Sequence, residues 1–261
     1  MQMRRFRIKH KKLKHIFITH LHGDHFFGLI GLLFSLHLNN RKDELHIYGF
    51  KELMVVLDYQ INLSISKLNF PIVFHELIPE TSALITDEKH FTVTAVPLIH
   101  RVPACGFIFR EKVKPRRISK DFLEKEQPTI EQIKAIARGE GFTGITGVHY
   151  SNQEISTESP LKSFAFITDT AYNEELLPFL KYVDLLYHEA TFMKEFTELA
   201  ADKGHSTVEQ AALIACKAEA KKLILGHISA RYPDMDILLH EATSLFQNTV
   251  VAYDGMVIEV K

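Results

Sequence analysis

A six-residue segment of the chain, His-Leu-His-Gly-Asp-His, carries four side chains that bind metal ions in proteins. It follows a β-branched and aromatic run, residues 15–19, that predicts a buried strand. In an extended segment, side chains two residues apart face the same side, so His20 and His22 can bind one ion. Asp24 and His25 come next, where a helix is predicted, and can reach a second ion. Since imidazole and carboxylate are zinc ligands, we predict a metal site here.

Three further ligand-type residues stand at the ends of predicted strands. His100, Asp169 and His227 each follow an apolar run. In α/β sheets, sites gather beyond the carboxyl ends of the strands, so these side chains are expected near one another. Asp169 can bridge two ions, because a carboxylate has two oxygens. The first segment alone cannot fill two coordination spheres, and these distant residues complete a predicted two-metal site.

The elements that must position these residues alternate between strand and helix, which predicts an α/β fold. Strands are predicted at residues 15–19, 45–48, 72–77, 91–98, 105–110, 163–168, 185–188 and 222–226. Helices are predicted at residues 28–38, 51–63, 129–138, 206–219 and 235–246. We expect Ser206 and Glu209 to form a capping box at the start of the fourth helix. Two final strands are expected to flank Asp254 and Gly255.

The composition limits the classes to which the protein can belong. A chain of 261 residues with 46% hydrophobic residues can bury a core in one large domain or two small ones. The formal net charge is −1, so any surface that binds nucleic acid must be a local patch. Cys105 and Cys216 do not suggest a disulfide framework, and a reducing cytoplasm is expected. No apolar run is long enough to span a bilayer.

The motifs resemble those of the metallo-β-lactamase superfamily and, within it, of ribonuclease Z, the family of tRNA 3′-processing endonucleases. The similarity extends along essentially the whole chain from about Met3. The first segment marks only the superfamily, whereas the last three segments below narrow the resemblance to ribonuclease Z. The matching segments are Thr-His-Leu-His-Gly-Asp-His (19–25), Leu-Ile-His (98–100), Thr-Asp-Thr (168–170), His-Glu-Ala-Thr-Phe (188–192), Gly-His-Ser-Thr (204–207) and Gly-His-Ile-Ser-Ala-Arg-Tyr (226–232).

This resemblance implies a four-layer αβ/βα sandwich, formed by a single domain over residues 1–261 with an inserted tRNA-binding arm at 111–162. It also implies two Zn²⁺ ions per chain and hydrolysis of the phosphodiester that joins the 3′ trailer to precursor tRNA. One ion would be held by His20, His22, His100 and Asp169. The other would be held by Asp24, His25, Asp169 and His227.

Proton transfer is assigned to three residues. Asp24 is expected to orient or deprotonate the attacking water. His205 is expected to donate a proton to the ribose 3′-oxygen as it leaves, and Glu189 would raise the pKa of His205 because a nearby carboxylate favours imidazolium. The alternative for His205 is an ordinary residue before a helix cap. For His188, support of a zinc ligand and a plain strand end both remain open.

Substrate contacts are expected in two places. Arg231, with Ser229 beside it, could hold a phosphate through its bidentate guanidinium, and a surface ion pair is the alternative. In the arm, Arg116 and Arg117 are expected to contact RNA, although acidic residues are interleaved and a solvated charged loop is the alternative. The resemblance also implies a homodimer in which the arm of one subunit serves the site of the other.

The start of the sequence departs from the family pattern. The family opens with two strands, a glycine-rich turn and an Asp-Cys-Gly-Glu-Gly-Thr-Gln segment, and these are not in this sequence. We therefore expect the chain to lack the N-terminal strands of the family. Two other functions are weighed against the endonuclease. One is a different hydrolase on the same scaffold, acting on a small phosphodiester or a thioester, and the other is a truncated remnant without activity.

Overall fold

The computed structural model describes residues 2–260, so Met1 and Lys261, the two limits of the predicted domain, lie outside it. The chain divides into two units. The first comprises Met1–Thr86, Val93–Phe109 and Ser163–Lys261, and the second comprises Asp87–Thr92 and Arg110–Lys162. The predicted arm, 111–162, falls within the second unit.

The strands of the described residues form two larger sheets and two short hairpin-like pairs. In chain order they are β1 (His15–Phe17), β2 (Leu45–Gly49), β3 (Ile72–Glu76), β4 (Ala83–Asp87), β5 (Phe91–Pro97), β6 (Cys105–Glu111), β7 (Arg117–Ile118), β8 (Phe142–Thr143), β9 (His149–Tyr150), β10 (Ser156–Thr157), β11 (Ser163–Ile167), β12 (Leu185–Glu189), β13 (Leu223–Gly226) and β14 (Thr249–Val251). One sheet is parallel, with the order β1-β2-β3. The other has the order β14-β13-β12-β11-β6-β5-β4, and its strands β11 to β14 are parallel.

The helices lie between these strands along the chain. They are α1 (Gln2–Arg5), α2 (Gly23–Leu38), α3 (Lys51–Ser64), α4 (Lys120–Glu126), α5 (Ile130–Ala137), α6 (Asn152–Ile155), α7 (Leu177–Leu180), α8 (Thr197–Lys203), α9 (Val208–Lys217) and α10 (Met235–Thr243). None of the helices in residues 2–260 is long and apolar enough to cross a bilayer.

Helices α2 and α3 cover one face of the three-stranded sheet. Leu29, Leu33 and Leu36 recur at helical spacing along α2 and are buried, as are three apolar residues of α3. These side chains pack with Leu45 and Ile47 of β2 in one apolar cluster. Because side chains alternate across a strand, the opposite face of β2 remains available for another layer.

Helices α9 and α10 cover one face of the seven-stranded sheet. Ala165 and Ile167 of β11 share a buried cluster with Ala211 and Ala215 of α9 and with Leu238 of α10. The small alanines allow α9 to approach the sheet closely. This face therefore carries the second helical layer.

Aromatic side chains fill the space between the two sheets. Phe17 of β1 lies 4.5 Å, centroid to centroid, from Tyr48 of β2, and 5.3 Å from Phe107 of β6. On the larger sheet, Phe166 stacks on Tyr187 at 4.5 Å. The layers therefore run helix, sheet, sheet, helix, and the predicted four-layer αβ/βα sandwich is confirmed.

The second unit has a small core of its own. It is built from the antiparallel pairs β7–β10 and β8–β9 together with α4, α5 and α6. The core residues are Phe122, Ile136, Phe142 and Ile155. Helix α5 begins with a capping box in which Thr129 and Gln132 bond to each other's backbone, so this helix begins within one residue of its predicted start.

The start of α9 and the end of the chain differ from the predicted elements. Helix α9 begins with a capping box of Thr207 and Gln210, one residue later than predicted. The hydroxyl of Ser206 instead donates to the carbonyl of Thr170, 2.7 Å away. Because of this long-range hydrogen bond, Ser206 does not cap the helix. At the C-terminus, β14 is present, but no strand follows Asp254 within the described residues.

Candidate metal centre

The chain reaches the site through the turn between β1 and α2. Strand β1 ends at Phe17, and its line continues through Ile18, whose backbone N–H donates to Tyr48. His22 has extended backbone angles and stands immediately before α2, so His25 lies in the first turn of the helix. The helix begins at Gly23, five residues before the predicted range 28–38, and Asp24 and His25 lie in its first turn, where they were expected.

One group of ligand atoms forms around the Oδ2 atom of Asp169. Nδ1 of His22 lies 3.2 Å from Nε2 of His20 and 3.2 Å from Nε2 of His100. Oδ2 of Asp169 lies 3.5 Å from Nε2 of His20 and 3.7 Å from Nε2 of His100. The structure therefore brings these four residues together as one potential metal-binding group.

A second group forms around the Oδ1 atom of the same aspartate. Oδ2 of Asp24 lies 3.4 Å from Nε2 of His25 and 3.8 Å from Nε2 of His227. Oδ1 of Asp169 lies 3.4 Å from Nε2 of His25 and 3.5 Å from Nε2 of His227. The two oxygens of Asp169 thus face different groups, which is the arrangement that a bridging carboxylate needs.

The spacing within both groups fits a tetrahedral ion. Zinc bonds of ~2.0–2.2 Å place the corners of a tetrahedron ~3.3–3.6 Å apart. The distances given above between ligand atoms of the two groups run from 3.2 to 3.8 Å, and the four ligand atoms of the first group all lie within 4.8 Å of one another. The donor set, five imidazoles and two carboxylates, is also one that zinc prefers. The residues present therefore fit a zinc ion in each group.

The charge states of the ligand residues suit metal binding. Burial lowers the pKa of His20 to about 3, and His25 nearby adds to the shift. Burial also lowers the pKa of His25 and of His100. These rings are therefore neutral and offer a lone pair. For Asp169, burial alone would raise the pKa, but His227 and other neighbours outweigh burial and lower it, so the carboxylate is ionised.

Hydrogen bonds behind the ligands fix which ring nitrogen carries the proton. Nδ1–H of His100 donates to the carbonyl of Gly204 at 2.7 Å, which leaves Nε2 to face the first group. Gly204 has a φ of +71°, and a Cβ there would lie 3.0 Å from Nδ1 of His100. Glycine is required at this position for both reasons.

Glu189 and His205 form a buried pair beside the metal-binding groups. The Nδ1–H of His205 donates to Oε1 of Glu189 at 2.8 Å. Glu189 is fully buried and accepts three further hydrogen bonds, from the backbone N–H of Thr170 and from the backbone and hydroxyl of Thr191. Burial alone would lower the pKa of His205, but the contact with Glu189 raises it above its ordinary value. The predicted pair is therefore present.

His188 lies on the other side of the strand from the metal-binding groups. Its Nδ1–H donates to the carbonyl of Glu189 at 2.7 Å, and it is buried in the sheet. Its Nε2 has no hydrogen-bond partner among the described residues. Burial lowers its pKa. Of the two alternatives for His188, the contacts favour a strand-end residue within the core.

Two ligand-type residues have left-handed backbone angles. Asp169 has a φ of +48° and follows β11, and His227 has a φ of +53° and follows β13. Side chains rarely adopt this conformation, and it persists only where surrounding contacts hold it. Tyr187, which is hydrogen bonded to the His227 backbone and whose pKa burial raises to about 12, is one such contact.

Gly226 provides a test of this packing. A Cβ on Gly226 would lie 2.0 Å from the Tyr187 hydroxyl and 2.2 Å from its ring, so Gly226→Ala must displace a buried ring or His227. We expect zinc affinity to fall about 10–100-fold and the free energy of unfolding to fall by about 1–3 kcal/mol. Both are measurable by chelator competition and denaturant titration.

The matched control is Gly28→Ala in α2, where a Cβ meets nothing within 4 Å. That change should leave zinc affinity as it is and raise the free energy of unfolding by about 1 kcal/mol, since alanine is a better helix former. Unchanged zinc affinity in Gly226→Ala would contradict the packing argument.

Ser229 and Arg231 lie together near the Glu189–His205 pair. The Nε of Arg231 donates to the Ser229 hydroxyl at 3.2 Å. The guanidinium lies over the rings of Phe192 and Phe196, 4.9 Å and 5.3 Å from their centroids. Phe192 is in turn 6.1 Å from the His205 ring. No acidic partner of Arg231 appears among the described residues, so the surface ion pair weighed as an alternative is not formed.

Arg116 and Arg117 belong to the second unit. Arg116 is used within that unit: it donates to the hydroxyl and carbonyl of Ser156 and to the carboxylate of Glu158. Arg117 is exposed. Two further residues near the site, Thr191 and Tyr187, were given no role from the sequence. Thr191 lies within the segment His-Glu-Ala-Thr-Phe, and Tyr187 immediately precedes it.

Comparisons with known proteins agree with this architecture. A model of the β-lactamase superfamily domain matches residues 145–228. Ribonuclease Z of Bacteroides thetaiotaomicron is 39% identical over 261 residues, which is 100% of this chain and 83% of that protein. Ribonuclease Z of Parabacteroides distasonis is 39% identical over 260 residues, which is 99% of this chain and 86% of that protein.

Among solved structures, the short form of human tRNase Z superimposes with a TM-score of 0.69 at 27% identity. The match covers 99% of this chain and 83% of the human chain. The similarity to both bacterial enzymes extends over nearly all of this chain and most of theirs. From the sandwich, the ligand geometry and these relatives together, we conclude that the chain belongs to the ribonuclease Z family of the β-lactamase superfamily.

Proposed function

We propose that the protein is a zinc-dependent endoribonuclease that removes the 3′ trailer of precursor tRNA by hydrolysing the phosphodiester at the 3′ side of the tRNA. The observation that carries this proposal is the Glu189–His205 pair beside two ligand groups that share Asp169. The two metal-binding groups alone would be compatible with many different hydrolytic reactions. A buried carboxylate–imidazole pair adds a proton donor, which a ribose oxygen needs as a leaving group.

Two zinc ions are the proposed cofactors. His20, His22, His100 and Asp169 would hold one, and Asp24, His25, Asp169 and His227 would hold the other. When bound, such a pair of ions polarises the phosphoryl oxygens and stabilises charge on the attacking and leaving oxygens. The tetrahedral spacing and the lowered pKa values of His20, His25 and His100 support this assignment.

Two residues carry out the proposed proton transfers, Asp24 at the attacking water and His205 at the leaving oxygen. Asp24 is 69% exposed at its side chain, so it can reach a water molecule and orient or deprotonate it. His205 is held by Glu189 through Nδ1, which leaves Nε2–H to donate to the departing 3′-oxygen. The raised pKa of His205 favours the protonated form that this donation needs.

Arg231 is the proposed phosphate contact. It stacks on two aromatic rings and is hydrogen bonded to Ser229, so the side chain is ordered before substrate arrives. An ordered guanidinium loses little entropy on binding and can engage two phosphate oxygens at once.

The second unit is the proposed RNA-binding arm. It contains a cleft of about 870 Å³ with an apolar floor and several cationic side chains. Lys134 and Lys89 have no carboxylate partner among the described residues, whereas Lys112 and Lys114 are paired with Asp87 and Glu111. The cationic side chains lining the cleft are those of Lys89, Lys112, Lys114, Arg116, Lys134 and Arg138.

The two arginines predicted for this arm should behave differently when replaced. Arg117 is exposed, so Arg117→Ala should lower the salt dependence of precursor tRNA affinity by a slope of about 0.7–0.9, the value for one phosphate contact. Arg116→Ala should also unfold the β7–β10 pair locally, because it removes three hydrogen bonds. Binding titrations between low and high salt measure the slope.

Lys42→Ala is the control for those titrations, since Lys42 is an exposed cation in the first unit. Its slope should equal that of the parent protein. A slope for Arg117→Ala that also equals the parent value would remove Arg117 from the RNA contact.

A homodimer in the cytoplasm is the proposed assembly. Val55, Tyr59 and Leu63 recur every four residues along α3 and are 67–69% exposed, while the opposite face of the same helix is buried. Phe27 and Leu38 of α2 are also exposed. An apolar stripe of this kind is typical of a surface that a second subunit covers. The cytoplasm is where precursor tRNA would be met.

The deciding experiment is hydrolysis of a precursor tRNA that carries a 3′ trailer, with the cut mapped to the nucleotide. The proposal expects one cut at the 3′ side of the tRNA, lost on treatment with a chelator and restored by zinc. A nitrophenyl phosphodiester should also be cleaved, and a nitrophenyl thioester should not. Thioester hydrolysis without RNA cleavage would replace the endonuclease with another hydrolase, and no hydrolysis of any substrate would indicate an inactive chain.

A further inference from the structure

A single hydroxyl lies between the two parts of the site. Thr191 lies two residues after Glu189, the residue that ends β12 and holds His205, and it is 8% exposed. We propose that Thr191 is a positioning residue whose hydroxyl couples the Glu189–His205 pair to the metal ligand His227. The inference rests on the proposed zinc centre and adds to it a residue that binds neither metal nor RNA.

The contacts of Thr191 Oγ1 are short on both sides. It donates to Oε2 of Glu189 at 2.7 Å. It also lies 2.8 Å from Nδ1 of His227 and 2.9 Å from the carbonyl oxygen of His227. Nδ1 of His205 is farther away, at 3.5 Å. The hydroxyl therefore contacts a carboxylate of the proton-donating pair and a ring of the second metal-binding group at once.

Counting protons fixes the direction of these bonds. A hydroxyl has one proton to donate and two lone pairs. The shortest contact and the only charged acceptor is Glu189, so the Thr191 proton goes there. The contact to Nδ1 of His227 must then run the other way, with Nδ1–H of His227 donating to the hydroxyl oxygen.

That direction sets the tautomer of His227. With its proton on Nδ1, the ring has its lone pair on Nε2, which faces Asp24 and Asp169 in the second group. The carboxylate of Glu189 thus orients the Thr191 hydroxyl, and the hydroxyl orients the His227 ring.

Valine at position 191 tests the inference, because it keeps the shape of threonine and removes the hydroxyl. We expect the affinity for one of two zinc ions, the one that His227 would hold, to fall about 10–100-fold, as is usual when a partner behind a metal ligand is lost, with the other affinity unchanged. Zinc alone is the probe, in competition with a chromophoric chelator. Thr191→Ser should restore the affinity, since it restores the hydroxyl.

Two further variants separate positioning from folding. Thr249→Val removes a hydroxyl with the same 8% exposure that bonds to Phe246 away from the site, and it should leave both zinc affinities unchanged. In a His227→Ala background, adding Thr191→Val should lower zinc affinity no further, because the hydroxyl acts through that ring. Thr191→Ala provides the same readout if the valine variant is poorly folded.

Parent-like zinc affinities in the folded valine and alanine variants would overturn the inference, and so would a serine variant as weak as valine. These outcomes are distinct from failure of the proposed function. Parent protein that binds no zinc, or binds zinc and leaves precursor tRNA intact, would contradict the endonuclease. The second of those results would still allow Thr191 to position His227.

Discussion

Asp169→Ala is expected to lower bound zinc from two ions per chain to one or fewer and to reduce hydrolysis below detection. Its two carboxylate oxygens face different ligand groups, so one substitution removes a ligand from both. The residue is 2% exposed, and no other described carboxylate reaches both groups. Elemental analysis of the dialysed variant and initial rates on a nitrophenyl phosphodiester measure the two effects.

Asp184→Asn is the matched control for that substitution. Asp184 is also a buried aspartate, 6% exposed, and it accepts hydrogen bonds from Ser163 and Lys221 away from the ligand groups. Replacing it should lower the melting temperature while keeping two zinc ions. If Asp169→Ala retained two zinc ions, a bridging role for Asp169 would be wrong.

His205→Ala is expected to separate metal binding from proton donation. Loss of a general acid costs about 10²–10⁴-fold in rate when the leaving group needs a proton, as the ribose 3′-oxygen of RNA does. A nitrophenolate leaves without protonation, so turnover of a nitrophenyl phosphodiester should fall by less than about tenfold. Zinc content should remain at two ions, because His205 lies outside the proposed ligand sets.

Glu189→Gln should reproduce this pattern more weakly, since it removes the charge that favours protonated His205. His240→Ala, at an exposed position on α10, should change neither rate. Equal losses on RNA and on the nitrophenyl substrate in His205→Ala would exclude a donor role and return His205 to the alternative of a helix-flanking residue.

Much of the fold was predictable because short sequence patterns, such as an apolar run followed by a polar residue, mark its strands and their ends. Strand β11 is a short apolar run that ends at Ile167, two residues before Asp169. Apolar runs also precede His100 and His227. The sequence motifs then identified which of these residues belong together. Patterns within a few residues of the chain were sufficient for both steps.

Predictions failed where a contact with a residue distant in sequence determined which of two adjacent residues took a role. Ser206 and Thr207 are both good caps, with Glu209 and Gln210 three residues later, so the sequence offers two registers for the start of α9. The Thr170 carbonyl binds the Ser206 hydroxyl and leaves Thr207 as the cap. Thr191 was missed for a similar reason, because its three close contacts depend on the meeting of β12 with the loop after β13.

The left-handed backbone at Asp169 and His227 affects how the stability of the protein can be engineered. Substitutions that stabilise the zinc-free protein at these positions are expected to weaken zinc binding. Strained angles of this kind cost about 1–3 kcal/mol each. Glycine would relieve the cost at both positions, so selection for a higher melting temperature of the zinc-free protein should enrich glycine there. Each such substitution would also remove one of the proposed zinc ligands, so we expect higher stability of the zinc-free protein to be accompanied by lower zinc affinity. A thermostabilised version should therefore be selected with zinc present, or with both positions held constant.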